Sequence, residues 1–215
     1  MISSLHLAAV VSEGSGRVLY RLPLSQPVQA EVGAEWAKQL EAMVNHKEVV
    51  DFDPAYNPEE GEILRVSDFQ VPDWLAKLNS KAIVHLKVMS QAPEDLERIR
   101  GLVGFGQIGN KEVVLFQNFS RSHVLKPGRS LFFEKGAYKA IEQPGLTLSD
   151  KLAGVLKADG ELLFPSFRNI NAIMPMTELY REASETEIRE VLSHSHFDAE
   201  DADALAESPS QWFSK

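Results

Sequence analysis

The chain has 215 residues, of which 44% are hydrophobic and 25% are charged, and its formal net charge is -9. This length suits one large domain or two small ones, and the composition is ordinary for a soluble globular protein. The absence of cysteine excludes disulfides, thiolate catalysis and cysteine-ligated zinc. The apolar runs are far shorter than the roughly 18 residues of a transmembrane helix, and the N-terminus lacks the basic start of a signal peptide. We therefore expect a cytoplasmic protein with no direct membrane insertion.

The first elements in the chain are a hairpin and a helix. Apolar runs at residues 5–11 and 17–22 flank the turn sequence SEGSG, which predicts two paired strands. In residues 29–43 the apolar side chains recur at helical spacing, which predicts a helix with an apolar face. The members of that face are Val32, Trp36, Leu40 and Met43. The sequence VVDFDPAYNPEEGEIL, residues 49–64, predicts a strand, an acidic loop and a second strand.

Residues 101–110, GLVGFGQIGN, contain the Gly-x-Gly-x-x-Gly pattern of dinucleotide-binding proteins. In those proteins a helix begins within the motif, so that its N-terminus faces the pyrophosphate. Here the motif is followed by NKEVVLFQNF, whose β-branched and aromatic residues predict a strand. The motif therefore predicts a hairpin rather than a nucleotide site, and we expect no bound cofactor.

The same glycine motif sets a register for this hairpin. With Gly109 and Asn110 at the centre of a type II′ turn, Phe105 lies opposite Val114. Gly104 and Gly106 then share the opposite face of the hairpin, where they leave room for bulky neighbouring side chains.

Further along the chain, residues 93–100 predict a short helix. Asp159-Gly160 predicts a type I′ turn in a third hairpin, between residues 151–157 and 161–164. Together these elements predict the α+β class, with a mostly antiparallel sheet built from hairpins and helices packed on it. We divide the chain into an N-terminal α+β part, residues 1–92, and a hairpin-rich part with acidic C-terminal helices, residues 93–215, while one single domain remains an alternative.

The C-terminal region is acidic, with ten acidic residues against two arginines in residues 178–207. A capping box at Ser184 and Glu187 predicts the start of a helix, and we expect acidic helices over residues 177–195 and 198–207. The chain ends in AESPSQWFSK, where Ser208 and Pro209 are typical of a helix start. A helix cut so soon indicates either a truncated chain, which we favour, or an aromatic pair, Trp212 and Phe213, that packs down at the terminus.

Several patterns that resemble catalytic or metal sites have simpler interpretations. His194, His196 and Asp198 are spaced poorly for one ion on a helix, and imidazoles suit a helix C-terminus. Asp51 and Asp53 share one face of a predicted strand, but no Asp or Glu stands two residues before a lysine as a nuclease of this type requires. We interpret them as solvated charges at a sheet edge. Because nucleophile-elbow and phosphate-loop motifs are absent as well, we predict no catalytic residue and no metal site.

Residues 111–139 form a basic stretch, with six basic residues against two acidic ones. Its aromatic residues are Phe119, Phe132, Phe133 and Tyr138. Cations neutralise phosphates and exposed aromatic rings stack on bases, so this stretch is a candidate nucleic-acid interface. A solvated sheet face over an aromatic core explains the same pattern slightly better, and it predicts that at most one of Phe132 and Phe133 is exposed. The candidate nucleic-acid-binding residues are Arg121, Lys126, Arg129, Lys135 and Lys139.

Three segments taken in order are similar to the KwaB-like proteins of the bacterial Kiwa anti-phage defence system: IRGLVGFGQIGNKEVVLFQNFSRSHVL, LFFEK and ADGELLFPSFRNINAIMPMTELYREAS. The resemblance implies a cytoplasmic protein of antiviral defence that binds DNA and works with a membrane-embedded partner subunit. It contains no catalytic signature, so the function that it implies is a non-enzymatic nucleic-acid-binding module. The alternative is a protein-interaction module that acts through the acidic C-terminal helices or through homodimerisation.

Overall fold

The computed structural model describes residues 2–14, 16–53, 56–76 and 81–176. In chain order the elements are β1 (Ile2–Glu13), β2 (Gly16–Leu22), α1 (Gln26–Val44), β3 (Glu48–Asp51), β4 (Glu62–Val66), α2 (Asp73–Ala76), α3 (Pro93–Leu96), β5 (Ile99–Ile108), β6 (Lys111–Asn118), β7 (Val124–Leu125), β8 (Leu131–Glu134), β9 (Ala137–Ala140), β10 (Gly145–Leu146), β11 (Gly154–Lys157), β12 (Leu162–Phe164) and α4 (Phe167–Ile173).

Eight of these strands form one sheet in the order β2-β1-β5-β6-β11-β12-β4-β3. Every neighbouring pair is antiparallel except β3 and β4, which are parallel. The predicted α+β class with a mostly antiparallel sheet is confirmed. Strands that precede residue 93 pair with strands that follow it, so the division between residues 92 and 93 does not separate two sheets. Residues up to 175 belong to one compact unit.

The glycine hairpin forms with the register that its turn predicts. Phe105 lies opposite Val114, and Gly104 lies opposite Leu115. Gly109 has a φ of +60°, as the first central residue of a type II′ turn requires. No helix begins in this motif, because residues 111–118 form β6.

Helix α1 covers the glycine face of this hairpin. Trp36, fully buried, lies so close to Gly104 that an added Cβ there would be 2.4 Å from the indole Cζ3. Leu5 of β1 closes the same space at 2.9 Å. The absence of side chains on Gly104 therefore lets a large aromatic residue reach the sheet and join the main apolar core.

Helix α4 packs against a different set of glycines. An added Cβ on Gly101 would lie 2.7 Å from the Cγ1 of Ile173, and one on Gly154 would lie 3.1 Å from the Cδ1 of Ile170. Gly101 lies three residues before Gly104 in β5, and because successive strand residues face opposite surfaces of the sheet, these two glycines face opposite surfaces. The sheet is thus covered by α1 on one surface and by α4 on the other.

Two local predictions were wrong. The helix predicted over residues 93–100 ends at Leu96, because Ile99 already pairs with Val11 in the sheet. The turn at Asp159-Gly160 is not type I′, since only Gly160 has a positive φ. Its amide donates to the carbonyl of Lys157, and the loop of three residues before Glu161 fits a type I turn with a glycine bulge. The hairpin that this turn joins, β11 with β12, is present as predicted.

Candidate nucleic-acid interface

The basic stretch lies in a long excursion between two neighbouring strands. Strands β6 and β11 are paired in the sheet, and residues 119–153 connect them. Within this connection β7 pairs with β10 as a short stem, and β8 pairs with β9 beyond it. We call residues 131–140 the arm. Among the described residues the arm strands pair only with each other, so the arm is a two-stranded ribbon attached to the sheet by its stem.

A two-residue turn forms the tip of the arm. Lys135 has a φ of +51° and Gly136 a φ of +83°, and Glu134 pairs with Ala137 across them. Positive φ at both central residues defines a type I′ turn, whose twist matches that of a hairpin. The sequence prediction missed this hairpin, because Lys-Gly is not one of the dipeptides, such as Asn-Gly and Asp-Gly, that most clearly indicate a type I′ turn.

A buried polar network holds the base of the excursion on α1. Gln117 is fully buried, and its amide nitrogen donates to the Ser149 carbonyl at 2.8 Å and to Gln39 Oε1 at 3.1 Å. The Ser149 amide donates in turn to Gln117 Oε1 at 3.0 Å. Since a buried amide is costly unless its hydrogen bonds are formed, these contacts fix where the chain returns to the sheet.

Every residue of the arm is exposed. The side chain of Phe132 is 43% exposed and that of Phe133 is 64% exposed, so the prediction that at most one of them is exposed was wrong. That prediction assumed a strand with one covered face, whereas no other described strand pairs with the arm and all ten of its residues are exposed. The interpretation of the stretch as a solvated face over an aromatic core fails for the same reason, with only Phe119 buried.

The two faces of the arm differ in chemistry. Cross-strand pairing places Phe133 opposite Tyr138 and Leu131 opposite Ala140 on one face, where the phenol hydroxyl of Tyr138 is the one polar side-chain group; we call it the aromatic face. The rings of Phe133 and Tyr138 meet edge to face at 5.3 Å between centroids. The other face holds Phe132 together with Lys139 and Glu134, whose charged groups form an ion pair at 2.7 Å.

The predicted cations do not form one uniform surface. Lys126 pairs with Glu97, and Arg121 lies 3.9 Å from the same carboxylate. Lys139 pairs with Glu134 on the arm. Arg129 and Lys135 are exposed, and they form no ion pair within the part of the chain that the structure describes. Arg129 lies before the arm and Lys135 at its tip, so these two cations bracket β8.

Lys111 does not belong to this surface. It begins β6, whereas the excursion leaves the other end of that strand after Asn118. Eight strand residues separate these ends by roughly 25 Å. The basic stretch of the sequence is therefore divided in space.

Glu97 is the functional neighbour that the sequence did not reveal. Its pKa is lowered, first by the hydrogen bond from Lys126 and further by the charges of Lys126, Arg121 and Arg129. The ionised carboxylate thus competes with any phosphate for Lys126 and Arg121, the two cations that it pairs with. Glu97 directly follows α3 in the chain, and only the fold brings it to the basic stretch, so no local pattern could have indicated it.

Asp51 and Asp53, which were considered for nuclease chemistry, are not arranged as the sequence predicted. Strand β3 ends at Asp51, so Asp53 lies beyond it and the two do not share a strand face. Asp51 is bound by Arg65 at 2.7 Å, as an edge charge would be. Among the described residues no group of three His, Cys, Asp or Glu could hold a metal. His194, His196 and Asp198, the capping box and the acidic helices lie outside the described residues.

Comparisons with known proteins identify no relative, since no protein-family model, curated protein or solved structure matches the chain. The similarity to KwaB-like proteins therefore stays a prediction from the sequence pattern. No helix in the described part of the chain is long and apolar enough to cross a membrane.

Proposed function

We propose that this protein is a non-enzymatic nucleic-acid-binding module that uses the arm and the cations at its base. The observation that carries the proposal is the exposed arm, in which aromatic rings lie beside Lys135 at the tip, with Arg129 two residues before the first arm strand. Two-stranded ribbons fit nucleic-acid grooves, cations neutralise phosphates and exposed rings stack on bases. The five candidate cations would have unequal roles: Arg129 and Lys135 are available at once, whereas Arg121, Lys126 and Lys139 must first exchange a carboxylate for a phosphate.

The experiment is a fluorescence anisotropy titration of a labelled oligonucleotide at several salt concentrations. The double variant Arg129→Gln/Lys135→Gln should bind more weakly, and the slope of log K against log salt should fall by about 1.4 to 1.8, because each lost phosphate contact contributes about 0.7 to 0.9. The matched control is Lys38→Gln/Lys111→Gln, which removes the same charge away from the arm. Equal slopes in the two variants, or no binding at low salt, would refute the proposal.

The association with anti-phage defence is the second part of the proposal, and it rests on the sequence resemblance. A membrane-embedded partner subunit and DNA are the expected partners under this resemblance. The test is the plating efficiency of phage on bacteria that carry the protein together with its neighbouring genes. Protection that the Arg129→Gln/Lys135→Gln variant loses and the Lys38→Gln/Lys111→Gln control retains would support a defence role for nucleic-acid binding.

A protein-interaction module is the second candidate function, and the apolar aromatic face favours it. The arm could meet a second copy of this chain through Leu131, Phe133 and Tyr138. Light scattering coupled to size exclusion tests this candidate directly: a dimer that Phe133→Ser converts to a monomer would support it. The other form of the candidate, docking through the acidic helices, concerns residues outside those described.

A further inference from the structure

The aromatic face of the arm points to a ligand with unpaired bases. We infer that the arm selects single-stranded nucleic acid over duplex, with Phe133 and Tyr138 stacking on unstacked bases and Lys135 and Arg129 contacting the flanking phosphates. This inference rests on the proposed function and names the ligand class for the same site.

The first argument is the weak charge of the site. Three of the five cations at the arm and its base are held by two carboxylates, Glu97 and Glu134. Each cation that contacts a phosphate releases about one counterion, and this release is what favours binding to the phosphate backbone. Tight duplex binding therefore needs many cations that are free of ion pairs. Only Arg129 and Lys135 are available without breaking an ion pair. The arm therefore lacks the charge that tight duplex binding requires, and its apolar groups must supply part of the affinity.

The second argument is the placement of the rings. Phe133 and Tyr138 lie opposite each other on adjacent strands, so their rings occupy one continuous apolar patch next to the cationic tip. In a duplex the flat faces of the bases are covered by neighbouring bases, so a groove presents only base edges, sugars and phosphates to the aromatic face. A single strand offers the base faces themselves, and every base has one, so stacking tolerates any sequence.

The third argument concerns a second copy of this chain as the occupant. With aromatic side chains of about 150 to 250 Å² each, the exposed parts of Phe133, Tyr138 and Leu131 add up to roughly 300 to 400 Å². Two such faces would bury about 600 to 800 Å², whereas stable interfaces bury about 1,200 to 2,000 Å². The aromatic face alone is too small for a stable dimer but is large enough to stack on one or two bases.

The test compares three labelled ligands of equal length: oligo-dT, its duplex with oligo-dA, and an abasic strand that keeps the phosphates and lacks the bases. We expect the order of affinity to be oligo-dT first, duplex second and the abasic strand last. Phe133→Ala and Tyr138→Ala should each weaken oligo-dT binding on the order of five- to a hundredfold, as loss of one stacking ring does. Neither variant should change binding of the abasic strand.

Phe132→Ala is the matched control, because it removes an exposed phenylalanine from the opposite face of the same ribbon. It should leave oligo-dT binding unchanged. Circular dichroism and the melting temperature of each variant report whether the fold is retained, and substitutions at such exposed positions should alter neither.

Failure of the inference and failure of the proposed function give different results. Equal affinity for duplex and oligo-dT with no effect of Phe133→Ala would overturn the stacking inference and leave the cationic site in place. Absence of binding to all three ligands would overturn both. A concentration-dependent dimer that Tyr138→Ala dissociates would show that a second copy covers the aromatic face, and would overturn the inference as well.

Discussion

Replacement of Gly104 by alanine tests whether the glycine motif serves packing rather than nucleotide binding. The new Cβ would lie 2.4 Å from Trp36 Cζ3, and 2.9 Å from both Trp36 Cε3 and Leu5 Cδ1. Carbon atoms at optimal separation are about 3.5 to 4.0 Å apart, so the indole must move by more than 1 Å. Trp36 is fully buried between α1 and the sheet, so the indole can move only by displacing the close-packed atoms around it.

Overpacking of this kind costs about 1 to 3 kcal/mol. For a chain of this size each kcal/mol lowers the melting temperature by about 2 to 4 °C, so Gly104→Ala should melt about 2 to 12 °C below the parent protein. Loss of glycine also restricts the unfolded chain, which by itself stabilises the fold by about 0.4 to 1 kcal/mol. The control for that effect is Gly16→Ala in β2, where the nearest atom to an added Cβ is a carbonyl oxygen at 3.8 Å.

The assay is urea unfolding of both variants followed by the fluorescence of the three tryptophans of the chain, Trp36 among them. Gly16→Ala should be as stable as the parent protein or slightly more stable, and Gly104→Ala should be clearly less stable. Equal stability of the two variants would refute the reasoning, because it would mean that Trp36 does not occupy the space over Gly104.

Four other predictions concern the turn, the Glu97 carboxylate and the glycine motif. Gly109→Val should lower the melting temperature although an added Cβ meets nothing within 4 Å, because its φ of +60° is strained for valine; an unchanged melting curve would argue against the turn type. Glu97→Gln should tighten oligonucleotide binding in an anisotropy titration, because it releases Lys126 and Arg121 to contact phosphates. Weaker binding would contradict the view that the Glu97 carboxylate competes with phosphates for these cations. The pKa of Glu97 is lower in the folded protein than in the unfolded chain, where it is about 4.3. Its ion pair therefore stabilises the fold above about pH 4.3, and this stabilisation is lost as the pH falls through the folded-state pKa. On acidification the parent protein should lose more stability than Glu97→Gln. NADH or ATP at high concentration should leave the melting temperature unchanged, whereas a ligand at 100 times its Kd would add about 2.7 kcal/mol.

The elements that the sequence predicted well are those fixed by local geometry. One turn at residues 109–110 sets the register of two whole strands, because side chains in a strand alternate with a period of two and each pair follows from the one before. The apolar spacing around Trp36 similarly predicted helix α1, in which Trp36 and Met43 are buried and Val32 and Leu40 pack partly buried against the core. Both predictions needed only residues that are neighbours in the sequence.

The arm could not be predicted in the same way, because exposure is a property of the whole fold. The sequence LFFEKGAYKA has the composition of a buried hairpin, and its aromatic residues are exposed only because no other element of the described chain covers them. The role of Glu97 has the same origin, since its three cationic neighbours follow it by at least 24 residues and reach it only through tertiary contacts. The ion pairs of Glu97 at the base of the arm therefore had to come from the structure.

The most direct test of the account is to find which residues touch a bound nucleic acid. Oligo-dT can be crosslinked to the full chain by ultraviolet light, and the crosslinked peptides can be mapped by mass spectrometry. The account predicts crosslinks at Phe133 or Tyr138 that disappear when unlabelled oligo-dT competes. Competed crosslinks that map only to other parts of the chain, with none in residues 129–140, would contradict it.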